Sequence, residues 1–158
     1  SKPHSQCGFF CINKYYHMWM YEDKEFTSEM IDDNLGFVYE ITDTRNGMLY
    51  IGKKKFIFKV TKPPLKGKKR KRKSLKESDW QTYYGSSNEV KALVEECGAE
   101  IFERKIIKLC KSAGELSYWE LYEQMIRHVL YHPEKYYNAF VGGKIHRNHG
   151  RCSWNWKS

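Results

Sequence analysis

Long apolar runs are absent from this chain: no stretch approaches the roughly 20 residues that a membrane-spanning helix needs. Its start does not show the basic, apolar and small-residue succession of a secretory leader. Cysteine is sparse and irregularly spaced. The five positions, Cys7, Cys11, Cys97, Cys110 and Cys152, are odd in number, which argues against a disulfide framework and for reduced thiols in an intracellular protein. No internal repeat is visible, which sets aside repeat architectures. Acid is also missing from one long stretch. Between Lys53 and Lys76 there is no Asp or Glu, while 13 of the 28 basic residues fall there. The rest of the chain holds 15 basic and 19 acidic residues, so the net charge of +9 belongs to one segment on a slightly acidic body. Such a segment attracts polyanions, nucleic acid first. No amphipathic apolar face accompanies it, so a membrane surface is not its expected partner.

What is present suits one domain: 158 residues, 41% apolar and 16% aromatic, with twelve tyrosines and five tryptophans. Tyrosine is amphipathic, so part of that excess suits wet surfaces and ligand contact. Residues 1–35 read as an N-terminal extension, aromatic and apolar from Phe9 to Met20 and mostly polar and acidic from Glu22 to Asp33. Phe37–Thr42 then alternates as a strand, Asn46-Gly47 supplies a strong hairpin signal, and Met48–Gly52 returns. The basic segment 53–78 contains Pro63-Pro64, which bars a continuous helix, and is expected to be a mobile loop. Ser86-Ser87-Asn88-Glu89 reads as a capping box with Ser86 as N-cap, opening a helix that Gly98 stops. Ile101–Leu109 alternates, Phe102 apart, as a third strand. Ser112–Glu115 forms a second capping box, opening a helix to about Leu130 with Pro133 just beyond. This order predicts an α+β domain over residues 36–141: a small antiparallel sheet of about three strands flanked by helices, followed by a basic tail at 142–158.

On the second helix, Leu116, Trp119, Ile126 and Leu130 recur at helical intervals and predict a buried stripe that includes Glu123. An ionised carboxylate there needs a cation or hydrogen bonds. Two readings are open for Glu123. One is a structural carboxylate paired with a buried Arg or Tyr. The other is a ligand for Mg²⁺, which keeps most of its waters and accepts a single hard oxygen donor. Glu115 and Glu120 lie more to the side and read as solvated. In the hairpin, Tyr39 and Tyr50 stand eleven residues apart near the ends of paired strands. One tyrosine on a strand is ordinary packing. Two at this spacing, with Gly52 permitting close backbone approach, mark a candidate site.

Val38-Tyr39 and Tyr50-Ile51-Gly52 resemble the two halves of the signature of the GIY-YIG nuclease family, with the family's usual gap between the tyrosines. Val38 replaces isoleucine, Phe37 stands where the family has its first glycine, and Gly36 lies one residue earlier. Glu123 and Tyr137-Asn138, with fifteen residues from Glu to Asn, are similar in spacing to the glutamate and asparagine of phage intron-encoded homing endonucleases. Gly98–Ile107 is similar to the family's turn into its third strand. The resemblance spans roughly residues 36–140. It implies a metal-dependent endonuclease that hydrolyses duplex DNA with Mg²⁺ or Mn²⁺, leaving 5′ phosphates and 3′ hydroxyls, of phage or other mobile-element origin and at work in a host cytoplasm. By position, Tyr39 would be the general base or would orient the attacking water, Tyr50 would position water or phosphate, and Glu123 would hold a single cation. A free tyrosine ionises near pH 10, so a basic neighbour must ease proton loss, and Lys53, Lys54 and Lys55 are placed to do so. The arginine that relatives carry after the second tyrosine is not in its place. Lys59 stands nearest, as a point charge rather than a bidentate fork, and Arg70 or Arg72 folding back is the other option.

The basic run is either a solvated tail, a targeting patch or a salt-sensitive phosphate grip. Lys53, Lys55, Lys68, Lys69, Arg70, Lys71, Arg72 and Lys73, with Asn138, are the expected nucleic-acid contacts. Trp80, Tyr83 and Tyr84 either stack on bases or pack in the core. His146, His149 and Cys152, with Cys7 and Cys11, raise a zinc site joining the two termini, although the spacings fit no common zinc module. No separate DNA-reading domain is evident. Affinity is therefore expected from the basic segment and termini, from a separate DNA-targeting partner or from a homo-oligomer. The rival function is a catalytically weakened DNA- or RNA-binding module that keeps the fold, and the displaced arginine is its support.

Overall fold

The computed structural model describes residues 17–143. The zinc expectation, resting on Cys7, Cys11, His146, His149 and Cys152, lies outside the described residues. In chain order the elements are β1 (Trp19–Tyr21), β2 (Lys24–Glu25), β3 (Gly36–Asp43), β4 (Leu49–Lys55), β5 (Ile57–Lys62), β6 (Arg72–Glu77), α1 (Asn88–Cys97), β7 (Phe102–Cys110) and α2 (Ala113–Ile126). Five strands form one sheet in the order β2-β1-β7-β3-β4, antiparallel except where β1 runs parallel to β7. The fold is the expected α+β, with more strands than the three read from the sequence. No helix among the described residues is long and apolar enough to cross a membrane.

The hairpin forms as its turn chemistry requires. Gly47 takes φ +74, and Tyr39 pairs with Gly52 and Ile41 with Tyr50 across β3 and β4. Residues 36–39 are all buried because both faces of the sheet are covered. On one face Phe37, Tyr39, Ile41, Phe102 and Ile106 meet Trp19, Phe26, Phe56, Trp80 and Val90 of α1. On the other, Val38, Ile51 and Cys110 meet Leu116 of α2, with Val129 and Tyr136. Gly36 allows α2 to approach: a Cβ there would stand 2.9 Å from Leu116 Cδ2 and 2.4 Å from the Lys54 carbonyl oxygen.

Several expectations are corrected. Trp19 and Phe26 sit in the core and β1 hydrogen-bonds to β7, so residues 19–25 add two strands to the same sheet and residues 1–35 are not wholly an extension. The segment 57–77 is not a mobile loop. Its β-formers pair Ile57–Lys62 with Arg72–Glu77 as a separate two-stranded ribbon, and the prolines lie in the connection. Ser87, not Ser86, caps α1, accepting a hydrogen bond from the Val90 N–H. On α2 the buried line is Leu116 and Gln124, with Glu120 between them, whereas Ile126 and Leu130 are exposed. The reason is local: Ile126 is still helical but turned about 80° off the Leu116–Gln124 face, and His128, at φ +52, ends the helical path before Leu130. On β7 the buried row is Phe102, Arg104 and Ile106, and Ile107 is an extra residue between the Val38–Lys108 and Tyr39–Ile106 pairs. That bulge re-aims the strand beside Tyr39.

Candidate active site

β4 is an edge strand, and its free side is completed by a later piece of chain. Leu49 N donates to the Lys135 carbonyl and Tyr137 N donates to the Leu49 carbonyl, each at 2.8 Å. One step further the Asn138 side chain takes over from backbone. Ile51 N donates to Asn138 Oδ1 at 3.0 Å, and Asn138 Nδ2 donates to the Ile51 carbonyl at 2.8 Å. Gln124 Nε2 shares that carbonyl at 3.1 Å. Two buried amides thus substitute for a neighbouring strand, and the edge opens where they stop.

At that opening lies a pocket of about 600 Å³ whose lining includes Tyr50, Lys53, Ser86, Glu120, Gln124 and Asn138. Residues 39, 41, 50 and 52 share the α1 face of the sheet, while Val38, Ile51 and Lys53 share the α2 face. The pocket therefore wraps around the edge of β4 and joins groups from both faces. Glu120 stands on α2 with its side chain 17% exposed, and its Oε2 is 2.8 Å from Lys53 Nζ. Lys53 Nζ also donates to Ser117 Oγ at 3.0 Å. Tyr50 Oη lies 2.7 Å from Ser86 Oγ, which is where the serine excluded from capping is used. The Tyr50 ring packs against Gly85, where φ is +92 and a Cβ would come within 3.1 Å.

Tyr39 lies behind Tyr50, with ring centroids 6.2 Å apart. Its hydroxyl is buried without a hydrogen-bond partner among the described residues. The Tyr83 hydroxyl is near it but does not meet hydrogen-bond geometry, and it adds to the rise in Tyr39 pKa that burial causes first. Burial also raises Tyr50, opposed by the Ser86 hydrogen bond, and the Glu120 charge pushes both tyrosines the same way. Both are neutral phenols at physiological pH. Gly52 is required for this arrangement. A Cβ there would stand 2.5 Å from Tyr39 Oη and 2.7 Å from its ring carbon Cζ. Gly52→Ala should therefore cost about 1–3 kcal/mol of stability by overpacking, read as a lower denaturant midpoint, and should displace the tyrosine.

The remaining candidates are distributed as follows. Glu123 Oε2 accepts from Arg127 Nε at 3.1 Å, and Arg127 also bonds Glu40. Glu123 thus pairs with an arginine that is part-exposed rather than buried, and it is not among the residues lining the pocket. Lys54 Nζ is 2.5 Å from Asp79 Oδ1 and 3.8 Å above the Tyr83 ring. Lys55 ends β4, and Lys59 lies exposed on the ribbon away from the pocket lining. Lys68, Lys69, Arg70 and Lys71 occupy the exposed connection, and Arg72 and Lys73 begin β6, also exposed. Trp80 is core, and Tyr83 and Tyr84 are half-buried packing groups.

Three residues that matter to the site were missed by the sequence reading: Glu120, taken as solvated, Gln124 and Arg104. Arg104 is 2% exposed and donates to the carbonyls of Gln81 and Tyr83 at 2.9 and 3.0 Å, fixing the segment that leads to Ser86. Its even register with Phe102 and Ile106 was the available signal. Glu120 was signalled by its i, i+4 spacing from both Leu116 and Gln124.

Among the described residues no group of three or more His, Cys, Asp or Glu side chains comes together to hold a metal. The pocket instead offers the part-buried Glu120 carboxylate, with the exposed Glu89 at its α1 rim, a sparse donor set that fits a hydrated Mg²⁺ or Mn²⁺ rather than an all-protein cage.

Residues 19–141 match the family model described as the GIY-YIG domain of putative endonuclease segE. The match begins at the first residue of β1. No curated protein and no solved structure matches the chain.

Proposed function

The chain belongs to the GIY-YIG nuclease family, and from that premise we propose that it hydrolyses phosphodiester bonds of duplex DNA at the open edge of β4. The observation that carries this reading is the pocket where Tyr50, Lys53, Glu120 and Asn138 converge, with Tyr39 buried behind the Tyr50 ring. The Tyr39 hydroxyl has no hydrogen-bond partner among the described residues, and it would bond and orient an attacking water once movement of Tyr50 admits one. Tyr50, held by Ser86, would bond a phosphate oxygen at the lip of the pocket. Lys53 supplies the cation that the missing arginine supplies in relatives, as a point charge. It replaces Lys59, the residue nearest in sequence. Glu120, rather than Glu123, would hold the divalent ion. A bound ion there contributes charge stabilisation at the phosphate and the leaving 3′ oxygen. Products with 5′ phosphates and 3′ hydroxyls follow from water attack of this kind.

The test is nicking of supercoiled plasmid in Mg²⁺ or Mn²⁺. Wild-type protein should nick, and absence of nicking with both ions would sink the enzyme reading. One observation favours the rival, a binding module without cleavage: Glu120 is already paired with Lys53, and among the described residues no arginine lines the pocket. The pH profile separates the proton acceptors. If Tyr39 accepts the water proton, its raised pKa leaves only a small ionised fraction, which grows about tenfold per pH unit. Nicking should then climb steadily from about pH 6 to 9. A plateau near neutral pH would place the base elsewhere.

A further inference from the structure

The β5–β6 ribbon follows the site strand directly. Only Phe56 separates β4 from β5. That junction is rigid: Phe56 is 0% exposed, its N–H donates to the Leu35 carbonyl at 2.9 Å, and Ser78 N donates to the Phe56 carbonyl at 2.8 Å. Trp80 packs edge-on against the Phe56 ring at 5.3 Å. Beyond this anchor the ribbon pairs with no other strand. A two-stranded hairpin alone is marginal in water, so one that projects from a fixed base, rich in cations, is suited to being covered by a ligand.

Its register sorts the side chains. Lys59 faces Leu75 and Thr61 faces Lys73, which places these four on one side, all exposed. Leu75 is 69% exposed, an apolar group that no described residue covers. The set offers two ammonium donors, a hydroxyl and an apolar surface. Those are the group types that bond guanine O6 and N7 and touch the thymine methyl in the major groove. A ribbon of this kind fits a groove about 12 Å wide and not the minor groove of about 6 Å. Six residues per strand extend about 20 Å, the length of roughly six base pairs.

We propose that this ribbon enters the major groove beside the cut, lies along about six base pairs of it, and reads the roughly two that meet the Lys59, Thr61, Lys73 and Leu75 face. The cationic connection between its strands grips the flanking phosphates. The inference rests on duplex DNA being the substrate.

Binding is measured by fluorescence anisotropy in EDTA, where no cleavage occurs, on a mixed-sequence 30-base-pair DNA duplex and on the RNA duplex of the same sequence. The deep, narrow major groove of A-form RNA does not admit a ribbon. Wild type should prefer DNA by about tenfold or more, and methyl green, which occupies the major groove, should displace it while netropsin should not. Lys59→Gln with Lys73→Gln and Leu75→Ser should bring the two duplexes to equal affinity. Lys68→Gln with Lys69→Gln and Arg70→Gln should weaken both alike and lower the slope of log K against log salt by about 2–3. All these positions are exposed, so unchanged thermal melts verify folding. Equal wild-type affinity for DNA and RNA, or displacement by netropsin alone, overturns the proposal. Failure of plasmid nicking with methyl green-sensitive DNA binding intact would remove the enzyme reading and leave the ribbon. Nicking that continues unchanged in the Lys59, Lys73 and Leu75 variant, with groove competition also unchanged, would do the reverse.

Discussion

Tyr39→Phe is expected to lower plasmid nicking by about 100-fold or more while leaving the protein as stable as before, or more stable by about 1 kcal/mol. These two outcomes seldom occur together. A buried tyrosine hydroxyl normally bonds something, and its removal leaves an orphaned partner. Among the described residues there is none to orphan, because Tyr39 Oη lies buried and unpaired there. Leaving a polar atom dry costs about 1–3 kcal/mol, so phenylalanine relieves a penalty while keeping the ring contacts with Trp19, Phe37 and Tyr50. The chemistry would lose its water-orienting or proton-accepting group, a role worth about 10²–10⁴ in rate. Paired denaturant melts and nicking assays read the two halves independently. A loss of stability with full activity would make the hydroxyl structural. The raised pKa adds a check on the wild type. The neutral phenol is favoured in the folded state, so its contribution to stability is complete below about pH 10 and declines above it as the unfolded chain ionises. Tyr39→Phe should remove part of that alkaline loss.

Glu120→Gln should reduce nicking by about 1000-fold, whereas Glu123→Gln should leave it within about threefold of wild type. The larger figure corresponds to about 4 kcal/mol of charge stabilisation lost when the metal ligand is neutralised. The amide keeps the shape and still accepts a bond from Lys53, so folding survives. Binding of Mn²⁺, followed by its electron paramagnetic resonance signal, should weaken in the Glu120 variant alone. For Glu123 the expected effect is on stability: about 0.5–1 kcal/mol, because Arg127 retains Glu40 after losing its i, i+4 partner. An inactive Glu123→Gln that still melts like wild type would return the metal to the position first suggested by spacing.

The hairpin, the central strand and both helices were legible in the sequence because each is a local signal: Asn46-Gly47, a run of β-formers, a serine cap, a stopping glycine. What was not legible depended on remote partners. Residues 19–35 carry no periodicity of their own, yet Trp19 and Phe26 are core because β1 finds the far side of β7. The basic segment was read through its charge and prolines, although Ile57-Phe58-Lys59-Val60-Thr61 alternates well enough to pair. Glu123 was singled out because Trp119 and Ile126 suggested an apolar face. The face of α2 that meets the sheet edge has to satisfy the Ile51 carbonyl, so it carries Gln124 and Glu120, and polarity concealed its burial. The tyrosine pair was found because both members sit in one hairpin. Its partner carboxylate lies 70 residues beyond Tyr50 and obeys no local rule.

The Asn138 amide that stands in for a strand beside Ile51 sets a condition on timing. The edge of β4 is finished by nearly the last residues of the matched region, and the sheet centre, β7, is itself made late. A ribosome that has released the hairpin, with both tyrosines, has not yet released the glutamate, nor the asparagine that closes the edge. The pocket is therefore complete only once Asn138 has emerged: a chain that stops before Glu120 carries the two tyrosines and no carboxylate from α2, and one that stops before Asn138 leaves the edge open.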